Sequence, residues 1–265
     1  MFITGASTGI GSATVALFRD KGWNVAATMR TPSDHAALAS DRVLTLPLDV
    51  TNAATIRPAL DQALKAFGHI DVLVNNAGYG AFGPFEAATD EQIDRQYATN
   101  VTGLMRVTRE FLPHFRERKS GTIINISSVG GRATFPLYSL YHGTKWAVEG
   151  FSESLNFELA AFGIRVKLVE PGAIKTDFTT RSLDVLKKDG LDVYDDFIKR
   201  FREGWGAGRN ASSPELAADV IYQAATDGTD QLRYIAGDDA KMIIETRGGI
   251  SQEDYYSMIR KRLGL

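Results

Sequence analysis

Thr4-Gly5-Ala6-Ser7-Thr8-Gly9-Ile10-Gly11 is the stretch on which the fold turns. The residues before it, Phe2 to Thr4, read as a strand, and those from Gly9 to about Lys21 read as a helix that Gly22 closes. Glycines therefore sit where a strand passes into a helix. The first N–H groups of a helix lack partners and carry partial positive charge, so they attract a phosphate, and glycines let the backbone come close to it. The spacing is Gly-x-x-x-Gly-x-Gly rather than the commoner Gly-x-Gly-x-x-Gly. Taken alone it also suits a tight turn with no ligand. Only three strand residues precede Gly5, whereas a central strand usually has about five or six. Either the strand is short or the natural chain begins upstream.

Outward from the loop the chain keeps alternating. Asn24 to Thr28 and Val43 to Leu46 read as strands, and Thr51-Asn52 caps a helix running to about Phe67, where Gly68 stops it. Asp71 to Asn75 is the next strand, with the unbroken apolar run Val72-Leu73-Val74 of a strand buried on both faces. A long helix over about Glu91 to Arg118 follows. After it come a strand Thr122 to Ser127, a helix from about Tyr138 to Ala161 and a strand Arg165 to Glu170 ahead of Pro171-Gly172. Further on, Ser213-Pro214-Glu215 opens a helix, Arg233 to Ala236 reads as a last strand and Ser251 to Leu263 as a final helix. This rhythm predicts an α/β fold, a doubly wound parallel sheet of at least six strands in a single domain over residues 1–265. From Lys175 to Ser213 the rhythm breaks, and Gly190, Gly204, Gly206 and Gly208 mix with Phe178, Tyr194, Phe197, Phe201 and Trp205. That segment is either a mobile helical lid or a pair of surface helices whose aromatics are ordinary core.

Composition excludes several functions. The 265 residues carry 30 Lys+Arg against 32 Asp+Glu, a net charge of −2, so no positive surplus exists for a nucleic acid or an anionic membrane. A 44% apolar content fills a large core, while no apolar run reaches the ~18–20 residues that cross a bilayer. The start lacks the pattern of a signal peptide, and a cytoplasmic protein is the expectation. The absence of cysteine rules out disulfides and sulfur-ligated metals, so redox chemistry would need a cofactor. His35, His69, His114 and His142 lack the spacing of a helical metal site, and no metal centre is expected.

About 20 residues beyond a loop of this kind, an acidic side chain would bind the ribose 2′-hydroxyl of NAD and a basic one the 2′-phosphate of NADP. Thr28-Met29-Arg30 occupies that place, which favours NADP(H) while leaving NAD(H) open; Arg30 would otherwise be a solvated charge. Tyr141-His142-Gly143-Thr144-Lys145 puts a phenol and an ammonium one turn apart on one helix face. An ammonium about 4 Å away, at an effective dielectric of ~20, favours the phenolate by ~4 kcal/mol or about three pKa units. Such a tyrosine moves from ~10 towards neutrality and can exchange a proton with an alcohol or ketone. Ser128 stands at the end of the strand Thr122 to Ser127, Asn75-Asn76-Ala77-Gly78 ends another strand, and Asn100 lies in the helical region after it.

In order and spacing these pieces resemble the short-chain dehydrogenase/reductase family, in its compact single-domain branch. They are Thr4 to Gly11, Leu48-Asp49-Val50, Asn75 to Gly78, Asn100, Ser128, Tyr141 with Lys145, and Pro171-Gly172 with Thr176, over residues from about 1 to 180. The stretches Ala26 to Arg30, Tyr79 to Pro84 and Glu170 to Phe178 are similar to hydroxysteroid- and retinol-type members. The resemblance implies an oxidoreductase that moves hydride between a nicotinamide and a carbonyl or alcohol carbon. Tyr141 would be the general acid or base, Lys145 would lower its pKa and hold the nicotinamide ribose, Ser128 would orient the carbonyl and Asn100 would hold a relay water. Gly5, Ser7, Thr8, Gly9, Ile10 and Gly11 would form the cofactor loop, with Ser7 joining Arg30 at the 2′-phosphate. Asp49 and Val50 would lie beside the adenine, Asn76, Ala77 and Gly78 along its ribose, and Pro171, Gly172, Ile174 and Thr176 around the nicotinamide carboxamide. Plainer roles exist too: Ser128 capping a turn, Asn100 satisfying helix backbone, Asp49 capping the next helix. Tyr79, Phe135, Leu137, Tyr138 and Phe178 would wall an apolar substrate pocket or pack between lid and sheet. The expected partners are a small carbonyl or alcohol and further copies of the chain, in a homodimer or homotetramer built through the two long helices. A non-catalytic NADP(H)-binding sensor is the alternative.

Overall fold

The glycine loop leaves β1 (Phe2–Ile3) and enters α1 (Gly9–Asp20), after which strand and helix alternate as the periodicity predicts. The elements are β2 (Val25–Met29), β3 (Val43–Pro47), α2 (Ile56–Phe67), β4 (Val72–Asn75), β5 (Gly80–Phe82), α3 (Asp90–Tyr97) and α4 (Leu104–Arg118). They continue with β6 (Gly121–Ile126), α5 (Ser139–Ala160), β7 (Ile164–Pro171), β8 (Leu183–Val185), α6 (Asp195–Gly206), α7 (Pro214–Thr226), β9 (Arg233–Ala236), α8 (Asp238–Gly249) and α9 (Gln252–Arg262). This computed structural model describes residues 1–33, 40–176, 182–206 and 211–265.

Seven strands form one sheet in the order β3-β2-β1-β4-β6-β7-β9, and every neighbouring pair is parallel. Side chains alternate between its two faces, as the two-residue period of a strand requires. Phe2, Ala26, Leu73, Ile123 and Val166 pack on one face under α2, α4 and α5, against Leu60, Phe111, Phe115 and Leu155. Ile3, Ala27, Val74, Ile124 and Val169 pack on the other, against Val15 and Phe18 of α1 and Ile221 of α7. The sheet is therefore covered on both sides, the reason its strands read as continuous apolar runs. Helix ends follow their signals. Gly22 and Gly68 take φ of 84° and 77° beyond α1 and α2, and Asn52 accepts from Ala54 N–H to cap the turn that leads into α2.

Three features depart from the sequence reading. The single long helix over Glu91 to Arg118 is two helices, α3 and α4, joined by a π-helical turn at Ala98–Gly103 that contains Asn100. A short parallel pair, β5 with β8, stands apart from the main sheet, and α8 follows β9 directly. In the segment 175–213, Phe201 and Trp205 of α6 are buried with Phe82, Leu137 and Leu263, so these aromatics are core. Phe178 and Gly208 lie outside the described residues. Among the described residues no helix is long and apolar enough to cross a membrane.

The ring of Phe111 is fully buried edge-on to Phe2, with centroids 4.8 Å apart. Phe111→Ala should cost about 3–5 kcal/mol, read as a lower urea midpoint with an unchanged slope.

Candidate active site

The order of strands reverses direction at β1, whose neighbours are β2 on one side and β4 on the other; in open α/β sheets ligands bind outside the strand ends at such a switch point. The glycine loop fills it. Gly5 has a φ of 65°, and a Cβ there would lie 2.8 Å from Ala77 Cα, while a Cβ on Gly11 would lie 2.2 Å from the Gly5 carbonyl oxygen. Thr4 Oγ1 accepts from the N–H groups of Asn76 and Ala77, both at 3.1 Å, and Asn76 Nδ2 donates to the carbonyls of Thr4 (3.0 Å) and Gly5 (2.9 Å). The side chain of Asn76 is thus committed to the loop. At the cap of α1, Thr8 makes no side-chain bond to the helix, and the first turn carries no acidic residue. The leading N–H groups of α1 are left for an anion, so the cradle fits a diphosphate.

Around this cradle lie the other cofactor candidates. Arg30 is exposed at the end of β2, and Ser7 is half-buried in the loop. Asp49 Oδ1 accepts from the N–H (2.9 Å) and Oγ1 (2.7 Å) of Thr51, so one carboxylate oxygen caps the turn before α2. Val50 is buried against Gly103. Opposite the loop, the stretch after β7 runs past Gly9: a Cβ on Gly9 would meet Thr176 at 3.1 Å. That stretch is held in place by residues the sequence reading did not single out. Asp239 Oδ2 accepts from Ala173 N–H at 2.7 Å, Gly172 N–H donates to the Ala236 carbonyl at 3.0 Å, and Ile174 pairs with Ser212. A Cβ on Gly172 would lie 2.2 Å from Asp239 Oδ1, which explains the glycine after Pro171.

The chemical groups converge beside it. Ser128 follows β6, and its Oγ both accepts from Gly130 N–H at 3.0 Å and shares a hydrogen bond with the Tyr141 hydroxyl. One turn along α5, Lys145 donates to the Ile126 carbonyl at 2.9 Å, and its Nζ lies 5.7 Å from the Tyr141 ring centre. Asn100, in the π-helical turn, clamps the Tyr79 backbone from both sides: Oδ1 accepts from its N–H (3.1 Å) and Nδ2 donates to its carbonyl (2.9 Å). The same Nδ2 reaches Thr144 Oγ1 at 3.1 Å, which ties the turn to α5. The electrostatics reverse the sequence expectation. Burial pushes the Tyr141 phenol up to about 12 despite the Ser128 hydrogen bond, and burial pulls Lys145 down to about 8, with the Glu149 charge opposing. Two groups taken out of water together each resist their charged form, and at this separation the amine does not overcome that penalty.

A further residue orders the site. His142 is buried; its Nε2 accepts from Phe135 N–H at 3.2 Å, so Nδ1 carries the proton and donates to the Gly130 carbonyl at 2.8 Å. It holds both ends of the loop that leads away from Ser128. Phe135, Leu137 and Tyr138, from the proposed pocket wall, join Phe82, Phe201 and Trp205 in one aromatic cluster, and the Tyr138 ring lies 6.4 Å from that of Tyr141. Tyr79 stands apart, with its hydroxyl accepting from Arg95 Nε. Behind the cluster is a cavity of about 640 Å³ lined by Phe135, Trp146, Phe197, Tyr255 and Ile259; neither Tyr141 nor Ser128 borders it, and the reaction cleft is elsewhere.

The short chain dehydrogenase profile matches residues 1–185. An uncharacterized oxidoreductase of Schizosaccharomyces pombe is 39% identical over 246 residues, spanning 89% of this chain and all of the relative. A solved short-chain dehydrogenase from Streptomyces avermitilis superposes with a TM-score of 0.83 at 33% identity, covering 97% of this chain and 96% of that one. The 3-ketoacyl-(acyl-carrier-protein) reductase from Brucella melitensis, solved in complex with NADH, superposes at 0.76 with 28% identity, covering 89% of this chain and 96% of its own.

His142→Leu removes the hydrogen bonds to the buried Gly130 carbonyl and the half-buried Phe135 N–H and should cost about 2–4 kcal/mol. Burial holds His142 below the ordinary histidine value of 6.5, so the unfolded chain takes up the proton first. Its contribution to stability is therefore present above that value and lost as pH falls. The stability gap between wild type and variant, measured by urea unfolding, should narrow below that pH.

Proposed function

The chain belongs to the short-chain dehydrogenase family and is an oxidoreductase of CH–OH and C=O groups, and from that premise we propose that it reduces a small apolar ketone or aldehyde with NADPH. The observation that carries the reading is the Tyr141 hydroxyl bonded to Ser128 at the end of β6, with the Lys145 amine one turn away and all three buried. A nicotinamide dinucleotide, as in the NADH complex of the Brucella enzyme, supplies the hydride when bound. Gly5, Ser7, Thr8, Gly9, Ile10 and Gly11 would hold its diphosphate and Arg30 with Ser7 its 2′-phosphate. Asp49, Val50, Asn76, Ala77 and Gly78 would take the adenosine, and Pro171, Gly172, Ile174 and Thr176 the nicotinamide end.

The chain's own part is proton chemistry and positioning. A phenol that burial holds neutral is a donor at working pH, and Tyr141 gives its proton to the oxygen of the carbonyl as that oxygen becomes an alkoxide. Ser128 keeps that oxygen against the phenol. Lys145 stabilises the phenolate left behind, since a charge that is weak in the resting site gains value once its partner is ionised. Asn100 fixes the π-helical turn against Thr144 and so sets the depth of α5 in the cleft. Phe135, Tyr138 and Phe82 offer the substrate apolar ring surface. Within the segment 175–213 we take α6, whose Phe201 and Trp205 pack over Phe82 and Leu137, as the lid, the long helices α4 and α5 as the contact of a homodimer or homotetramer, and the cytoplasm as the setting. A purely regulatory dinucleotide binder is not favoured, because matched proteins with a named activity, the Brucella reductase among them, are oxidoreductases.

Tyr141→Phe should retain NADPH binding, read by fluorescence titration, and lose about 10²–10⁴-fold in turnover of the best substrate from a panel of ketones and aldehydes. Near-normal turnover in that variant, or no turnover of any carbonyl by the wild type, overturns the reading. Arg30→Ser should reduce the preference for NADPH over NADH by about ten- to a hundredfold, the worth of one charged hydrogen bond.

A further inference from the structure

One turn beyond Lys145, a group of acids is buried where the reaction as derived makes no use of it. Glu149 of α5 is 5% exposed and Glu170, in β7, is fully buried. Both carboxylates reach the same nitrogen: Arg233 Nε lies 2.9 Å from Glu149 Oε2 and 3.5 Å from Glu170 Oε1. Arg132 donates to Glu170 Oε1 at 3.0 Å, and Arg233 also pairs with Glu153. The remaining oxygens, Glu149 Oε1 and Glu170 Oε2, are buried without a hydrogen-bond partner among the described residues, as is the hydroxyl of Ser127. Gly131 gives them room: a Cβ there would sit 2.7 Å from Ser127 Oγ and 3.2 Å from Glu149 Oε1.

We propose that Glu149 and Glu170 form a carboxyl pair holding one proton, and that Glu149, behind Lys145, is the positioning residue that keeps that amine charged during the reaction. The proposal rests on the reading of Lys145 given above. Three carboxylates, Glu149, Glu153 and Glu170, face two guanidinium groups, Arg132 and Arg233, which leaves one negative charge; a proton on Glu170 removes it at low pH, and the Lys145 ammonium balances it once that proton is lost. No other charged side chain bonds to either buried carboxylate among the described residues. Arg132 and Arg233 serve one oxygen of Glu170 and leave its Oε2, like Oε1 of Glu149, facing no donor among the described residues; a proton on Glu170 converts an unpartnered acceptor into a donor. Burial and the Glu149 charge raise Glu170 to about 7 against the pull of Arg132 and Arg233, so it loses its proton as pH passes neutrality. Burial lowers Lys145 to about 8, and the Glu149 charge is what holds it from falling further. The amine is then charged below that value and neutral above it, and removing the Glu149 charge moves the loss of ammonium to lower pH.

Two measurements on the intact chain test this without relying on turnover. With ¹³Cε-lysine labelling, and Lys145→Met to assign the signal, the Lys145 midpoint should drop by about one pH unit in Glu149→Gln. An unchanged midpoint overturns the proposal. By infrared difference spectroscopy the wild type should show the carbonyl band of a protonated carboxyl that disappears as pH rises through neutrality, and Glu170→Gln should lack it. A band that persists in Glu170→Gln also overturns the pair, and this second variant decides the matter should Glu149→Gln fail to fold. A wild type that reduces no carbonyl would remove the proposed function and leave both titrations readable.

Discussion

A strand of two residues, β1, lies third among seven parallel strands, and its ladder is too short to hold the strands on either side in register. Side chains lengthen it. Thr28 Oγ1, from β2, donates to the Ile3 carbonyl at 2.9 Å, and from the β4 side the Asn76 amide and the N–H groups of Asn76 and Ala77 converge on Thr4 and Gly5. Backbone bonds from Thr4 to Val74 and from Ala6 to Thr28, both 3.0 Å, complete the join. All of these groups are neutral and most are buried, so water does not compete for them. The path of the glycine turn, the direction of α1 and the depth of the cleft all depend on this small network.

The second constraint is dielectric. A tyrosine and a lysine one turn apart invite the argument that the amine acidifies the phenol, and in water-rich surroundings that argument holds. Here both groups are out of water, and each is driven towards its neutral form, up to about 12 for Tyr141 and down to about 8 for Lys145. In the proposed reaction the pair would do less to ionise the resting phenol than to receive charge as it forms. On that reading Tyr141 would remain a competent acid, with the amine's help reserved for the ionised state.

Local pattern explains what could be read from residues alone. Apolar runs such as Val72-Leu73-Val74, the stops at Gly22 and Gly68, and the glycine turn between β1 and α1 each depend on neighbours within a few positions, and the sheet followed from them. The spacing from Tyr141 to Lys145 is local as well. What escaped is tertiary. A π-helical turn differs from a helix by one residue's bonding, and its anchors, Tyr79 and Thr144, are far from Asn100 in the chain. The pairing of β5 with β8 joins two three-residue strands a hundred positions apart. Burial, which reversed the electrostatic expectation, is invisible in a helix repeat. His142 gave no signal beyond its place next to Tyr141, because its two bonds are to backbone that only the folded loop brings near.

Asp239 has a consequence for how the molecule is made. Everything that shapes the front of the cleft is translated early, yet the stretch from Gly172 to Thr176 is fastened by a carboxylate on α8 and by the backbone of Ser212. A nascent polypeptide made only as far as β9 would have the glycine turn, Tyr141 and Ser212, but not Asp239, the carboxylate that holds Ala173. The stretch after β7 is therefore fully held only once the start of α8 has been made, long after the glycine turn it faces.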